Sequence, residues 1–168
     1  MDLPGRLWLG KLRLQNELEA ARMARIATDK VTKDLSCDGR WRLVAGAVGP
    51  TNRTASVSPK VEDPAFRNVT YNELMDAYTE QIMGLVNGGC HIILIETIFD
   101  SLNARAAIFA YEEFFKNSGL KKLPLIISGT IIDAAGRTLS GQNVEAFFIS
   151  MSNAKPLCIG LNCALGAD

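Results

Sequence analysis

The chain has 168 residues, 48% of them hydrophobic and 21% charged, with 18 basic residues balanced by 18 acidic ones. That is enough to bury one core and too apolar for the disordered class, and a neutral balance leaves no global field to recruit nucleic acid or an anionic membrane. No apolar run approaches the roughly 20 residues of a membrane span, and the start lacks a signal-peptide pattern, so a cytoplasmic protein with a small-molecule or protein partner is expected.

Residues 1–13 show no clean period and are set apart as a divergent segment; residues 14–168 read as one α/β domain. From Leu14, the apolar positions Leu18, Ala21, Ala24, Ala27, Val31 and Leu35 recur at helical spacing until Ser36-Cys37-Asp38-Gly39 stops them. Leu43–Val48 reads as a buried strand ending at Gly49-Pro50. The connection over residues 49–69 exceeds the usual length, which points to a functional loop such as a lid or a substrate contact, or to disorder. Thr70 and Glu73 have capping-box spacing ahead of a stripe of Leu74, Tyr78, Ile82 and Leu85.

His91–Ile95 is a run of branched aliphatics ending in Glu96-Thr97, and Asp100 or Ser101 can cap a helix carrying Leu102, Ala106, Phe109, Ala110 and Phe114. The unit repeats with Leu125–Ile127, finishing in Ser128-Gly129-Thr130, then a helix near Val144–Ser152 and a strand Leu157–Leu161 delivering Asn162 and Cys163. Such a series builds a parallel sheet with right-handed crossovers, whose ligands bind at the carboxyl ends of the strands. Those ends carry Thr51-Asn52, Glu96-Thr97, Ser128-Gly129-Thr130 and Asn162-Cys163. His91, at the opposite end, reads as structural. No Gly-rich nucleotide-phosphate motif follows any strand. The cysteines, Cys37, Cys90, Cys158 and Cys163, form no Cys-x-x-Cys pair, so reduced thiols are expected.

Four segments, VAGAVGPTNRTASVSP at 44–59, LIETIFDSLNARAA at 94–107, ISGTIIDAAGRTLSGQ at 127–142 and CIGLNCALGAD at 158–168, closely resemble the homocysteine-binding barrel of the cobalamin-dependent methionine synthase family. The resemblance implies a partial (β/α)8 TIM barrel, a half barrel of about four parallel strands that corresponds to strands three to six of the family fold. It makes Cys163 a zinc ligand and Glu96 the acid that meets the homocysteine amino group, with Thr97, Asn52, Ser128 and Asn162 as further substrate contacts. The reaction it implies is methyl transfer from cobalamin, recharged by a methylfolate, to zinc-activated homocysteine, with folate and cobalamin modules as partners.

On residue chemistry alone Cys163 also reads as a small packing residue, and Glu96 as a helix cap. Two departures stand beside the resemblance: there is no Asp-Gly-Gly or Asp-Gly-Ala first-strand motif, and no Gly-Gly-Cys-Cys to supply two further zinc ligands. The expectation is therefore a fragment, inactive alone because one thiolate does not make a zinc site. An inert module that self-associates through unpaired strand edges is one alternative, and a betaine- or S-methylmethionine-type homocysteine methyltransferase is another.

Overall fold

The computed structural model describes residues 5–35 and 39–162, with side chains from residue 12 onward. The elements run α1 (Gly5–Asp34), β1 (Ala45–Val48), α2 (Tyr71–Asn87), β2 (Ile92–Ile98), α3 (Ser101–Ser118), β3 (Leu125–Thr130), α4 (Val144–Ser152) and β4 (Cys158–Asn162). The four strands form one sheet in the order β1-β2-β3-β4, and every pairing is parallel. Strand order that follows chain order without a reversal is the arrangement of a barrel sector, since a doubly wound sheet reverses at its switch point. No helix among the described residues is long and apolar enough to cross a membrane.

Side chains alternate between the two faces of the sheet. Val48, Ile93, Ile95, Leu125 and Ile127 are buried beneath the helices with Leu74, Tyr78, Ile82 and Leu85 of α2, all four of the expected stripe. The other face carries Ala45, Ala47, Leu94, Ile126, Ser128 and Gly160, exposed or half-buried, and is the inner face of the barrel sector. His91 lies just before β2, where its Nδ1 accepts from the Val44 N–H at 2.9 Å and ties the entry of β1 to that of β2.

Three expectations change. The first helix begins at Gly5, within the segment read as aperiodic. Its apolar stripe is buried only in part: Ala21 is buried, while Ala27, Val31 and Leu35 are exposed. The reason lies in where α2 ends. A Cβ on Gly88 would lie 2.5 Å from Ala21 Cβ and from the Leu18 carbonyl oxygen, so the helices cross there in close contact, and the later turns of α1 run past the end of α2. In α3 Ala106 and Ala110 of the expected stripe are buried together with Asn103, Ala104, Ala107, Tyr111 and Phe115, whereas Leu102 and Phe109 are exposed. The sheet-facing side accepts small residues at its tightest approach, so alanines win over larger apolar ones.

Helix starts follow from local chemistry. Thr70 Oγ1 accepts from the Glu73 N–H at 3.2 Å while the Glu73 carboxylate accepts from the Thr70 N–H at 2.9 Å, completing the capping box. Asn143 Oδ1 accepts from the Ala146 N–H at 2.8 Å to open α4.

Burial pushes the Cys90 thiol up to about 11, and burial together with the nearby Glu112 charge pushes the Tyr111 phenol up to about 12. The Tyr111 O–H donates to the Leu123 carbonyl, a bond a phenolate cannot make. Both groups stay protonated in the fold at pH values where the unfolded chain ionises, from their ordinary values of 9.0 and 10.0 upward. Their contribution is therefore complete below about pH 9 and lost as pH rises through about 11 to 12. Urea midpoints should hold to pH 9 and then fall, and a midpoint flat to pH 12 would contradict this assignment.

Candidate functional site

The carboxyl end of the sheet is shaped by an irregularity in β2. Ile95 pairs with Ile127 and Ile98 with Gly129, so β2 spends three residues where β3 spends two. Glu96 and Thr97, the expected end of the strand, occupy the bulge, and β2 continues past them to Ile98. A bulge of this kind re-aims side chains at a sheet's rim. Thr97 has φ of 57°, a left-handed backbone in a β-branched residue, which costs about 1–3 kcal/mol and persists only when its surroundings hold it.

What holds it is a polar rung across three strands. The Thr130 O–H donates to Asn162 Oδ1 at 2.9 Å, and Asn162 Nδ2 donates to Thr97 Oγ1 at 3.0 Å. Thr130 and Asn162 are register partners in β3 and β4. Sequence reading placed Thr97 and Asn162 at strand ends but took Thr130 only as part of a strand-exit segment.

The long connection after β1 forms an anchored wall. Asp100 caps α3, its Oδ1 accepting from the Leu102 N–H at 2.9 Å, which decides between the two candidate caps. The same carboxylate, 2% exposed, accepts from the Ser56 N–H at 2.9 Å and the Ser56 O–H at 2.7 Å. Asn103 accepts from the Ala55 N–H at 2.9 Å and donates to the Arg53 carbonyl at 2.8 Å and to Thr51 Oγ1 at 3.2 Å. Arg67 ties the far limb back, donating to the carbonyls of Ala55 at 2.9 Å and Ser56 at 2.8 Å. Beneath this wall, burial pushes the Tyr78 phenol up, with hydrogen bonds to Asn103 and Thr51 acting in the opposite direction. A cleft there is lined by Val48, Pro50, Tyr78, Glu96, Phe99 and Asn103, among others. The segment after β3 leans on the same rim, where the Ser140 N–H donates to the Phe99 carbonyl at 3.1 Å.

Of the residues singled out in the sequence, Thr97 and Asn162 are in direct contact. Glu96 is half-buried in the cleft wall, and the adjacent Asp100 is the α3 cap, which removes the capping alternative for Glu96. Ser128 lies on the inner face of β3, level with Gly160. Asn52 is exposed on the wall, whose anchors are its neighbours Thr51 and Arg53. Cys163 and Cys37 lie outside the described residues.

A family model described as homocysteine S-methyltransferase matches residues 12–168. The chain belongs to this family. Its fold is also that of the apo homocysteine methyltransferase MmuM from Escherichia coli, with a TM-score of 0.67 and 15% sequence identity over 92% of this chain and 51% of that one. The chain thus spans about half the length of that structure, and at this identity the likeness is one of fold.

The zinc that the resemblance implies was tested against the donors present. No three of His, Cys, Asp and Glu come together as a ligand set among the described residues of this homocysteine S-methyltransferase family chain. Cys90 is buried at the far side of the sheet, beside Gly46, and Cys158 is exposed at the start of β4. The described residues do not fit a zinc centre, and no chemistry is routed through one below.

Proposed function

We propose that this chain is a homocysteine-binding barrel sector of a methyltransferase of the cobalamin-dependent methionine synthase type, serving transfer of a methyl group to the homocysteine sulfur. The observation that carries the reading is the Thr97–Asn162 contact at the carboxyl end of the sheet, with Glu96 next to Thr97 in the β2 bulge, in a chain whose family match runs from residue 12 to residue 168. Glu96 takes the ammonium group of the amino acid, Thr97 and Asn162 supply hydrogen-bond donors, and Ser128 and Asn52 complete the mouth. Such groups bind and orient; a held thiol gains rate from proximity and alignment with its methyl donor.

Within this reading, Cys163 is the one zinc-ligand position of the family that this sequence carries, and the Gly-Gly-Cys-Cys that would supply two more is not in it. Cobalamin and folate belong to partner modules, and the cytoplasm is the compartment that suits free thiols. The Gly49-Pro50-Thr51-Asn52 and Leu139-Ser140-Gly141-Gln142 segments favour the cobalamin type over the betaine type, by resemblance.

The test is a calorimetric titration of the purified chain with L-homocysteine, with L-serine as control. Saturable binding of homocysteine alone is expected, and equal or absent heats for both would refute the reading.

One observation favours a second reading, an inert module that associates through its edge. Among the described residues β4 pairs only with β3, and Leu157, Leu161, Phe148 and Ile149 are 68%, 49%, 54% and 65% exposed around it. An unpaired parallel edge beside apolar side chains invites a further strand. Sedimentation showing concentration-dependent association without homocysteine binding would select this second reading.

A further inference from the structure

We propose that Thr130 is a positioning residue for amino-acid recognition at this rim: its hydroxyl orients the Asn162 amide, which leaves the Thr97 O–H free to donate to the carboxylate of a bound amino acid. The inference rests on the homocysteine-binding reading above and deepens it by assigning the two charged ends of the ligand.

The polarity of the rung carries the argument. Thr130 is 7% exposed, and a hydroxyl buried there needs a partner, which it finds in Asn162 Oδ1. With its oxygen taken, the Asn162 amide must turn its Nδ2 toward Thr97, whose Oγ1 accepts. A threonine hydroxyl carries one proton of its own. Among the described residues Thr97 has no acceptor for that proton, and Thr97 is only half-buried. The rung therefore runs in one direction, from the buried Thr130 to a donor at the rim, and the second Nδ2 proton of Asn162 adds another.

Donors suit an anion. Glu96, the neighbour of Thr97 in the same bulge, offers a carboxylate, which accepts. An acceptor and a directed donor on adjacent bulge residues match the ammonium and carboxylate of one zwitterion. The left-handed backbone at Thr97 belongs to the same bulge, whose extra residue lets Glu96 and Thr97 depart from the regular alternation of β2. Valine at 130 would fill the same volume, so packing alone does not call for threonine.

The experiment compares Thr130→Val and Thr130→Ser with the unmodified chain, using L-homocysteine and its decarboxylated counterpart 3-aminopropane-1-thiol as ligands in calorimetry. Thr130→Val should weaken homocysteine roughly tenfold, the scale of one hydrogen bond to a charged group, and Thr130→Ser should restore it. The amine thiol, lacking the carboxylate, should bind all three chains alike. Equal weakening of both ligands, or no weakening of homocysteine, overturns the positioning role while leaving homocysteine binding intact. An unmodified chain that binds no homocysteine overturns the functional reading, and this inference with it. Should Thr130→Val fail to fold, the Asn162 side-chain amide protons of the unmodified chain decide the matter: slow exchange with solvent in NMR is expected, and free rotation with fast exchange overturns the rung.

Discussion

Asp100→Ala should lower stability by about 3 kcal/mol, combining a lost helix cap with buried donors left unpaired. On a chain of this size that corresponds to a fall in Tm of roughly 6–12 °C. The carboxylate accepts from three donors on two segments, the Leu102 N–H of its own helix and the N–H and O–H of Ser56 on the wall. Its removal therefore uncaps α3 and releases the wall in one step. Asp100→Asn should fall between the two, because an amide has one acceptor oxygen and its NH2 would face a second donor. Hydrogen exchange locates the effect: the amides of Ala55 and Ser56 should lose protection well before those of β2. Uniform loss across the sheet would show that the wall is not separately latched.

Glu96→Gln should weaken L-homocysteine binding roughly thirty- to hundredfold, as expected when a charge-assisted contact to an ammonium group becomes a neutral one. The change is close to isosteric and leaves the bulge backbone intact, so thermal stability should hold. The deamino analogue, 4-mercaptobutyrate, has no ammonium group for Glu96 to meet and should bind both chains alike. Equal affinity of both chains for homocysteine would remove Glu96 from the site. Taken with the Thr130 variants, the two series read opposite ends of the amino acid, Glu96 the amine and the rung the carboxylate.

Much of the architecture was legible because it rests on local pattern. Aliphatic runs at 92–95 and 125–127 announced buried parallel strands, Thr70 and Glu73 announced a helix start, and polar residues collected at one end of each strand. In the α3 stripe Ala106 and Ala110 are buried as the spacing implies, but Leu102 and Phe109 are exposed, because apolar residues sit on both faces of that helix and which face is inward depends on how closely it approaches the sheet. The α1 stripe was overextended for a similar reason. Its period continues to Leu35, but burial needs an opposing helix, and α2 stops at Asn87.

By itself the sequence determined the β/α order and the strand ends at which Glu96, Thr97 and Asn162 fall, since periodicity and strand termini are local properties of the chain. Only the tertiary structure decided that β2 carries a bulge, that Thr97 adopts a left-handed backbone, and that Thr97, Asn162 and Thr130 form one rung. Those facts depend on the register between strands and on hydrogen bonds joining residues 32 and 65 positions apart. No local spacing encodes them, because the partners meet only once the parallel sheet has formed.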